Sequence, residues 1–240
     1  MAMGADQHHD WRELAQSALD WWREAGVDTL VADAPRDWRV QAAAVAATAA
    51  TALPAEAEVP AAPLPATLEA FVAWRTGPEV PEAAWGTPLL PPEGDPAADL
   101  MFIVDCPEEE ALLDGAPGRL FDRMLAAIGR DRASIHLAAL AVARPVGGRL
   151  PPELLPELTT LLRHHIALAA PKRLLVAGSA ASRALIGMDG ARARGSLTAV
   201  NLEVGTVDAV VSWHPRFLLE RPAAKAEAWK DLQLLMGGLR

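Results

Sequence analysis

From Leu100 onward, short apolar segments alternate with longer segments in which apolar residues recur at helical spacing. The apolar run in "LMFIVDC" is too short for a helix and predicts a buried strand, whereas "GRLFDRMLAAIGR" is typical of an amphipathic helix. The pattern predicts strands over residues 100–106, 134–145, 173–178, 197–204 and 206–215, and helices over residues 118–130, 152–171, 179–187 and 221–238. Alternating strands and helices indicate the α/β class, so we expect a three-layer α/β/α sandwich with a mainly parallel central sheet.

The residues before this region have a different composition. Residues 10–25 carry tryptophan and leucine at helical spacing, and Asp10 suits the N-cap of a helix there. Alanine and proline dominate residues 41–65, which have too few large side chains to build a core. A short helix is predicted over residues 67–77. We therefore expect three parts: a tryptophan-rich helical segment over residues 1–40, an Ala/Pro-rich linker over residues 41–65 and a globular domain over residues 66–240.

Charge is distributed unevenly along the chain. The net charge is −9, of which residues 1–98 contribute −10 and residues 99–240 contribute +1. An acidic protein is a poor candidate for nucleic-acid binding, but the nearly neutral C-terminal part does not exclude it. A solvated acidic surface is the simplest explanation of the N-terminal charge.

Composition also restricts the compartment and the cofactors. No segment approaches the roughly 20 apolar residues of a membrane span, and the N-terminus lacks the basic and apolar regions of a secretion signal. We therefore expect a cytoplasmic protein that does not contact a membrane. The single cysteine, Cys106, excludes an internal disulfide and an all-cysteine metal site within these 240 residues.

Polar residues follow three of the predicted strands at the point where each strand ends. Asp105 follows the first strand, Gly178 and Ser179 follow the third, and His214 follows the last. Ligands of parallel α/β sheets bind beyond the carboxyl ends of the strands. The pattern therefore predicts a site that these residues share.

Four motifs occur in order along residues 98–235. They are "VDCPE" at residues 104–108, "ALAVARP" at 139–145, "IALAAPKRLLVAGSAASRALIG" at 166–187 and "WHPRFLLERPAAKAEAWKDL" at 213–232. Together they resemble the uracil-DNA glycosylase superfamily, and most closely its iron–sulfur family-four branch, whose corresponding motifs begin with Gly-Glu-Ala-Pro-Gly and end with His-Pro-Ser-x-Leu-Leu. The last two motifs carry the most specific part of this resemblance.

The resemblance implies a glycosylase that flips uracil out of DNA and cleaves its N-glycosidic bond. By this resemblance, Asp105 would be the catalytic carboxylate that stabilises a cationic sugar. His214 would donate a hydrogen bond to the uracil oxygen. Two structural alternatives stay open: Asp105 caps the following turn, and His214 is a structural residue at a strand end. The asparagine that reads the base is replaced by Ala139.

The same resemblance implies contacts to substrate or DNA for several further residues: Pro107, Arg144, Gly178, Ser179, Pro215 and Arg216. Arg216 stands at the family's serine and is able to contact phosphate. The approach loop is shortened to "EEEALLDGAPG", residues 108–118, and lacks the Pro-Phe stacking element. We expect its three glutamates to oppose DNA phosphate.

The iron–sulfur cluster of the family-four branch is not expected in this protein. Ala143 and Leu158 stand at two of the cysteine positions, and the chain has no cysteine before residue 100. Thiolates are required to hold such a cluster. We therefore predict no cofactor and no metal ligand.

Three functions remain compatible with these residues. The favoured hypothesis is a glycosylase-like protein of DNA repair or replication that has lost most uracil excision. It would act as an accessory subunit and contact a replication or repair protein through its N-terminal helix. The alternative is an active metal-free DNA glycosylase that cleaves the N-glycosidic bond of uracil or another damaged base and uses Asp105 and His214. An unrelated α/β enzyme that uses Cys106 ranks last, and His164 and His165 are expected to be solvated helix residues.

Overall fold

A computed structural model describes residues 16–17, 20–21, 63–202 and 205–237. Backbone contacts divide the chain into two units, Met1–Ala61 and Ala62–Arg240. Within the first unit the four described residues are helical, and the rest of the predicted N-terminal helix and most of the predicted linker lie outside the described residues. In the described part of the chain, no helix combines the length and the apolar character needed to cross a membrane.

A six-stranded sheet forms the centre of the second unit. Its strands are β1 (Glu93–Gly94), β2 (Leu100–Val104), β3 (His136–Ala139), β4 (Arg173–Ala177), β5 (Leu197–Leu202) and β6 (Gly205–Ser212). Their order across the sheet is β1-β3-β2-β4-β6-β5. The four central strands are parallel, and the edge strands β1 and β5 are antiparallel to their neighbours. The predicted mainly parallel sheet is thereby confirmed.

Helices cover both faces of this sheet. The described α-helices of the unit are α1 (Leu68–Arg75), α2 (Gly115–Ala127), α3 (Leu155–Ala169), α4 (Ser179–Ile186), α5 (Gly190–Ala193), α6 (Pro215–Glu220) and α7 (Lys225–Met236). Short 3₁₀ turns occupy Pro81–Trp85, Arg132–Ser134, Pro152–Leu154 and Pro222–Ala224.

The alternation of side chains along each strand produces two cores. On β2, Met101 and Ile103 belong to the core that also contains residues of α3 and α4. Phe102 faces the other side, where it packs on Phe121 of α2 with ring centroids 4.5 Å apart. That second core also includes residues of α7. The predicted three-layer α/β/α sandwich is thus confirmed.

The strand β3 is shorter than the predicted strand over residues 134–145. Leu140 and Ala141 still donate backbone hydrogen bonds to Val104 and Asp105, at 2.9 and 3.0 Å, but regular pairing then ends. Two buried side chains form the hydrogen bonds to backbone groups that a neighbouring strand would otherwise have made. Arg75 Nη2 donates to the Leu140 carbonyl at 3.2 Å, and Val142 N donates to Glu82 Oε1 at 3.1 Å.

The chain after β6 also differs from its prediction. The last strand was expected to run to residue 215, with a helix from residue 221. Instead β6 ends at Ser212, and the helix α6 begins at Pro215 with His214 as its N-cap. Proline suits the first position of a helix because its missing N–H would have no helical partner there. The final helix α7 then begins at Lys225.

Candidate active site

The carboxyl ends of the four parallel strands meet along one edge of the sheet, here called the rim. Val104 pairs with Ala139 on one side and with Ala177 on the other, and Ala177 pairs with Ser212. The residues that follow these strands therefore emerge side by side. Adjacent strands lie about 4.8 Å apart, so the chain at Asp105 and the chain leaving β6 toward His214 are separated by about 10 Å, with Gly178 between them.

Asp105 contacts the beginning of α4. Its Oδ1 accepts a hydrogen bond of 2.7 Å from Ala181 N. Burial raises the pKa of the Asp105 carboxyl above its ordinary value, while the Ala181, Ala180 and Ser179 amides act in the opposite direction. The capping interpretation of Asp105 thus has a physical basis, although the capped helix is α4 and not the next turn of the chain.

Gly178 makes the approach of Asp105 possible. Its φ is +152°, and a Cβ at this position would lie 2.2 Å from Asp105 Oδ1. A side chain would therefore require both a strained backbone and displacement of the carboxylate. The structure brings the predicted residues Asp105, Gly178 and Ser179 together at this point of the rim.

His214 is held as a neutral imidazole by burial and by the backbone of α6. Arg216 N donates to His214 Nδ1 at 3.2 Å, so Nδ1 is the acceptor and Nε2 carries the proton in the neutral ring. Burial lowers the pKa of His214 to about 4, and the positive charge of Arg144 acts in the same direction. At neutral pH the ring therefore offers one N–H donor, at Nε2.

A buried carboxylate joins two of the predicted DNA-binding arginines. Only 3% of the Glu108 side chain is exposed. Arg216 Nε donates to Glu108 Oε1 at 3.2 Å, and Arg216 Nη2 contacts Oε2. Arg144 Nη1 lies 3.6 Å from the same Oε2 and donates to the Pro107 carbonyl at 2.8 Å. Pro107, Arg144 and Arg216 are thereby brought into one cluster with Glu108.

This cluster corrects the expectation that all three loop glutamates face DNA phosphate. Glu109 and Glu110 are exposed, but Glu108 is buried because two guanidinium groups neutralise it. The predicted contact residue Pro215 is also buried, as the first residue of α6, whereas Arg216 beside it is exposed.

Cys106 lacks the environment of a nucleophile. Burial raises the pKa of its thiol, and the charge of Asp105 adds to that effect, while Arg144 and Arg216 oppose it. Reactive cysteines have a lowered pKa, because the thiolate is the nucleophile. The hypothesis of an enzyme built on Cys106 therefore gains no support.

Ala139 is the last residue of β3 and is buried at the rim. Apart from its backbone groups, it presents only a methyl group, which neither donates nor accepts hydrogen bonds. The place that the resemblance gives to a base-reading amide is thus apolar.

The four-cysteine cluster that the resemblance implies does not fit this chain. Ala143 and Leu158 are both fully buried, and Leu158 belongs to the buried face of α3 that packs into the core. Hydrocarbon therefore fills two of the places to which the resemblance assigns thiolates, and the 240 residues contain one cysteine. Among the described residues, no group of three or more His, Cys, Asp or Glu side chains could hold a metal ion.

A buried histidine pair lies away from the rim, at the amino end of β3. His136 Nε2 and His165 Nε2 are 3.0 Å apart, and His136 Nδ1 is buried without a hydrogen-bond partner among the described residues. The prediction that His164 and His165 are solvated is wrong for His165, which is buried. The spacing with Leu158, Leu161 and Leu162 was the available signal, because it places residue 165 on the apolar face of α3.

Comparison with known proteins agrees with this arrangement. The family model described as "Uracil DNA glycosylase superfamily" matches residues 91–233. The type-4 uracil-DNA glycosylase of Pyrobaculum aerophilum is 27% identical over 161 residues, which cover 62% of this chain and 82% of the relative. That of Archaeoglobus fulgidus is 24% identical over 159 residues, which cover 61% and 80%. The family match spans more than half of the chain and includes the whole rim, so this protein belongs to the uracil DNA glycosylase superfamily, with relatives in its type-4 branch.

Proposed function

We propose that this protein is a DNA-binding accessory protein of repair or replication in which uracil excision is lost or strongly reduced. The observation that carries the proposal is the buried Ala139 at the end of β3, where the family resemblance calls for an amide. A site that hydrogen-bonds its substrate rejects other molecules by leaving its polar groups unpaired, which discriminates by about 10⁴-fold or more. The methyl group of Ala139 has no polar atom that could be left unpaired, so a pocket that ends on Ala139 lacks that discrimination.

The contacts of Asp105 support the same proposal. One of its oxygens accepts the Ala181 amide, and the carboxylate lies against the turn at Gly178. These contacts match a residue that caps α4 and fastens β2 to β4. A carboxylate that stabilises a cationic sugar would have to direct its charge toward the DNA instead.

DNA is the proposed ligand because the relatives are named uracil-DNA glycosylases. The proposed contacts are Arg144 and Arg216 to phosphate, with Pro107, Gly178, Ser179 and Pro215 supporting the strand at the rim. Residues 99–240 carry a net charge of +1, so the domain does not repel a polyanion as the whole chain does.

His214 supports a second candidate, an active metal-free DNA glycosylase. Its neutral ring carries a proton on Nε2, because Nδ1 accepts from the backbone. Such a donor would stabilise the negative charge that develops on a departing base, and Asp105 would face the cationic sugar. In this candidate both residues are catalytic.

An excision assay on the full chain separates the two candidates. The substrates are single- and double-stranded oligonucleotides that carry one uracil, and the readouts are binding and the formation of abasic sites. We expect binding with uracil release absent or far below that of the Pyrobaculum relative. Efficient release that His214→Ala abolishes and His164→Ala preserves would establish the active enzyme instead. His164 is the matched control, because it lies on α3 and contacts the Pro65 carbonyl.

The accessory role also requires a protein partner, and we assign its binding to residues 1–40. The same assay series therefore includes a chain that lacks these residues. We expect the shortened chain to melt at nearly the same temperature and to lose capture of replication or repair proteins. An early melting transition would make the segment part of the folded core.

A further inference from the structure

Glu108 occupies a site built for an anion. Its carboxylate contacts two guanidinium groups, and 3% of its side chain is exposed. The side chains of Arg216 and Arg144 remain 50% and 36% exposed, so both reach from the buried carboxylate to the surface. Two cations and one anion leave a single positive charge on the cluster.

The geometry of the contact is one that a phosphate group shares. Arg216 presents its Nε and Nη2 edge to the two Glu108 oxygens. The guanidinium fork matches carboxylate and phosphate oxygens in the same bidentate manner. As long as Glu108 holds this edge, a phosphate cannot use it.

The position of the cluster links it to the rim. Arg216 directly follows the His214-Pro215 pair, and its backbone N–H donates to the His214 ring. Arg144, which shares Glu108 with Arg216, is close enough for its positive charge to lower the pKa of His214. An anion held by this cluster therefore lies near His214. Glu108 belongs to the loop between β2 and α2, so its side chain is able to turn outward without disturbing a strand or helix. Its backbone N–H donates to the Ala111 carbonyl at 3.1 Å within the same loop.

We propose that Glu108 competes with the phosphate of a nucleic-acid strand for Arg216 and Arg144, and so sets how tightly this protein binds DNA. This inference rests on the proposed DNA binding and adds a residue that controls it. Phosphate binding displaces the carboxylate into water, and the two guanidinium groups then hold the strand next to His214. The carboxylate thus weakens binding to any phosphate that is not otherwise held at the rim.

The test measures the affinity of the full chain for a fluorescent single-stranded oligonucleotide over a range of salt concentrations. Removing the competing charge with Glu108→Gln should tighten binding by about 10-fold and steepen the slope of log Kd against log salt by about 1. Glu109→Gln is the matched control, because it removes the same charge from the exposed neighbouring residue. It should change Kd by less than about 2-fold, as expected of a screened surface charge.

A second variant separates release of the arginines from the change in net charge. Glu108→Asp keeps the charge but is one methylene shorter, so it weakens the contact with Arg216. It should tighten DNA binding by a smaller factor than Glu108→Gln. In an Arg216→Gln background, Glu108→Gln should lose most of its gain. Glu108→Asp also keeps the test informative if Glu108→Gln lowers the melting temperature.

The remaining outcomes overturn the inference in distinguishable ways. Equal gains from Glu108→Gln and Glu109→Gln would show an effect of net charge alone. Weaker binding by Glu108→Gln would show that Glu108 orients Arg216 for DNA. If inorganic phosphate raises the melting temperature of Glu108→Gln while its DNA affinity stays unchanged, the site takes free phosphate and not a strand. If the unmodified protein and Glu108→Gln bind DNA with equal affinity, this inference fails while the proposed DNA binding stands. If no variant binds DNA at low salt, the proposed function fails with it.

Discussion

At the scale of single residues, the contact between Asp105 and Gly178 fastens two neighbouring strand ends. The Asp105 carboxylate fills the space where a side chain at residue 178 would begin, and the glycine has a φ of +152°. Gly178→Ala should therefore combine backbone strain with a steric clash. Each strained non-glycine residue costs on the order of 1–3 kcal/mol.

Urea unfolding checks this prediction against Gly187→Ala. Gly187 also has a positive φ, at +77°, but a Cβ there would meet nothing within 4 Å. We expect Gly178→Ala to lower the free energy of unfolding more than Gly187→Ala does. In an Asp105→Ala background this excess should shrink, because the clashing oxygens are gone. An equal cost for both alanine variants would mean that Asp105 moves aside freely.

The sequence predicted which polar residues lie at the rim but not how they are paired. Asp105, Gly178 and His214 could be located because each follows an apolar strand, and the carboxyl ends of parallel strands share one edge. The burial of Glu108 could not be predicted, because its partner Arg216 is 108 positions away in the chain. A run of three glutamates indicates an exposed loop, and only the fold distinguishes the first glutamate from the other two.

At the scale of elements, a buried ion pair joins the segment before the sheet to the chain that leaves β3. Arg75 donates to both oxygens of Glu82 at 2.6 Å, and the pair also bonds the backbone of Leu140 and Val142. Arg75→Met would leave the Glu82 carboxylate buried without its counter-charge. Removing one partner of a buried pair costs about 3–5 kcal/mol.

Urea unfolding of three variants tests this prediction. Arg75→Met should be strongly destabilised, and the double variant Arg75→Met/Glu82→Gln should recover part of the loss. Glutamine is neutral and still accepts from Val142 N. Arg183→Met is the control, because its partner Asp189 is half exposed and such surface pairs contribute about 0–1 kcal/mol. No recovery in the double variant would show that the arginine acts through packing and not through charge.

The same ion pair explains why the strand β3 was predicted too long. The apolar run continues to Val142 and Ala143, and its residues are buried as a strand would require. Hydropathy alone cannot show that Arg75 and Glu82, from more than 55 positions earlier, satisfy the backbone of Leu140 and Val142. The helix α6 was missed for a local reason, since its six residues are too few to establish a helical period.

At the scale of the whole molecule, buried neutral histidines make stability depend on pH. Burial lowers the pKa of His165 to about 3, with further lowering by His136, Arg75 and His164. Burial also lowers the pKa of His136, which Asp95 partly offsets. In the unfolded chain a histidine has a pKa of about 6.5. Below that pH the unfolded state binds protons that the folded state excludes.

The sign of the effect follows from this difference. A histidine whose folded pKa is lowered stabilises the fold fully above about pH 6.5, and that stability is lost as the pH falls from 6.5 toward the folded pKa. His165 alone should account for a loss of about 2 kcal/mol between pH 7 and pH 5.

Urea unfolding of the unmodified protein and of His165→Gln at pH 7 and at pH 5 measures this contribution. The glutamine amide keeps a hydrogen-bonding group beside His136 but does not titrate. We expect the variant to lose less stability on acidification, by about 2 kcal/mol, because one proton fewer is taken up on unfolding. Equal losses in the two proteins would show that His165 is already protonated in the folded state or becomes hydrated before the domain unfolds.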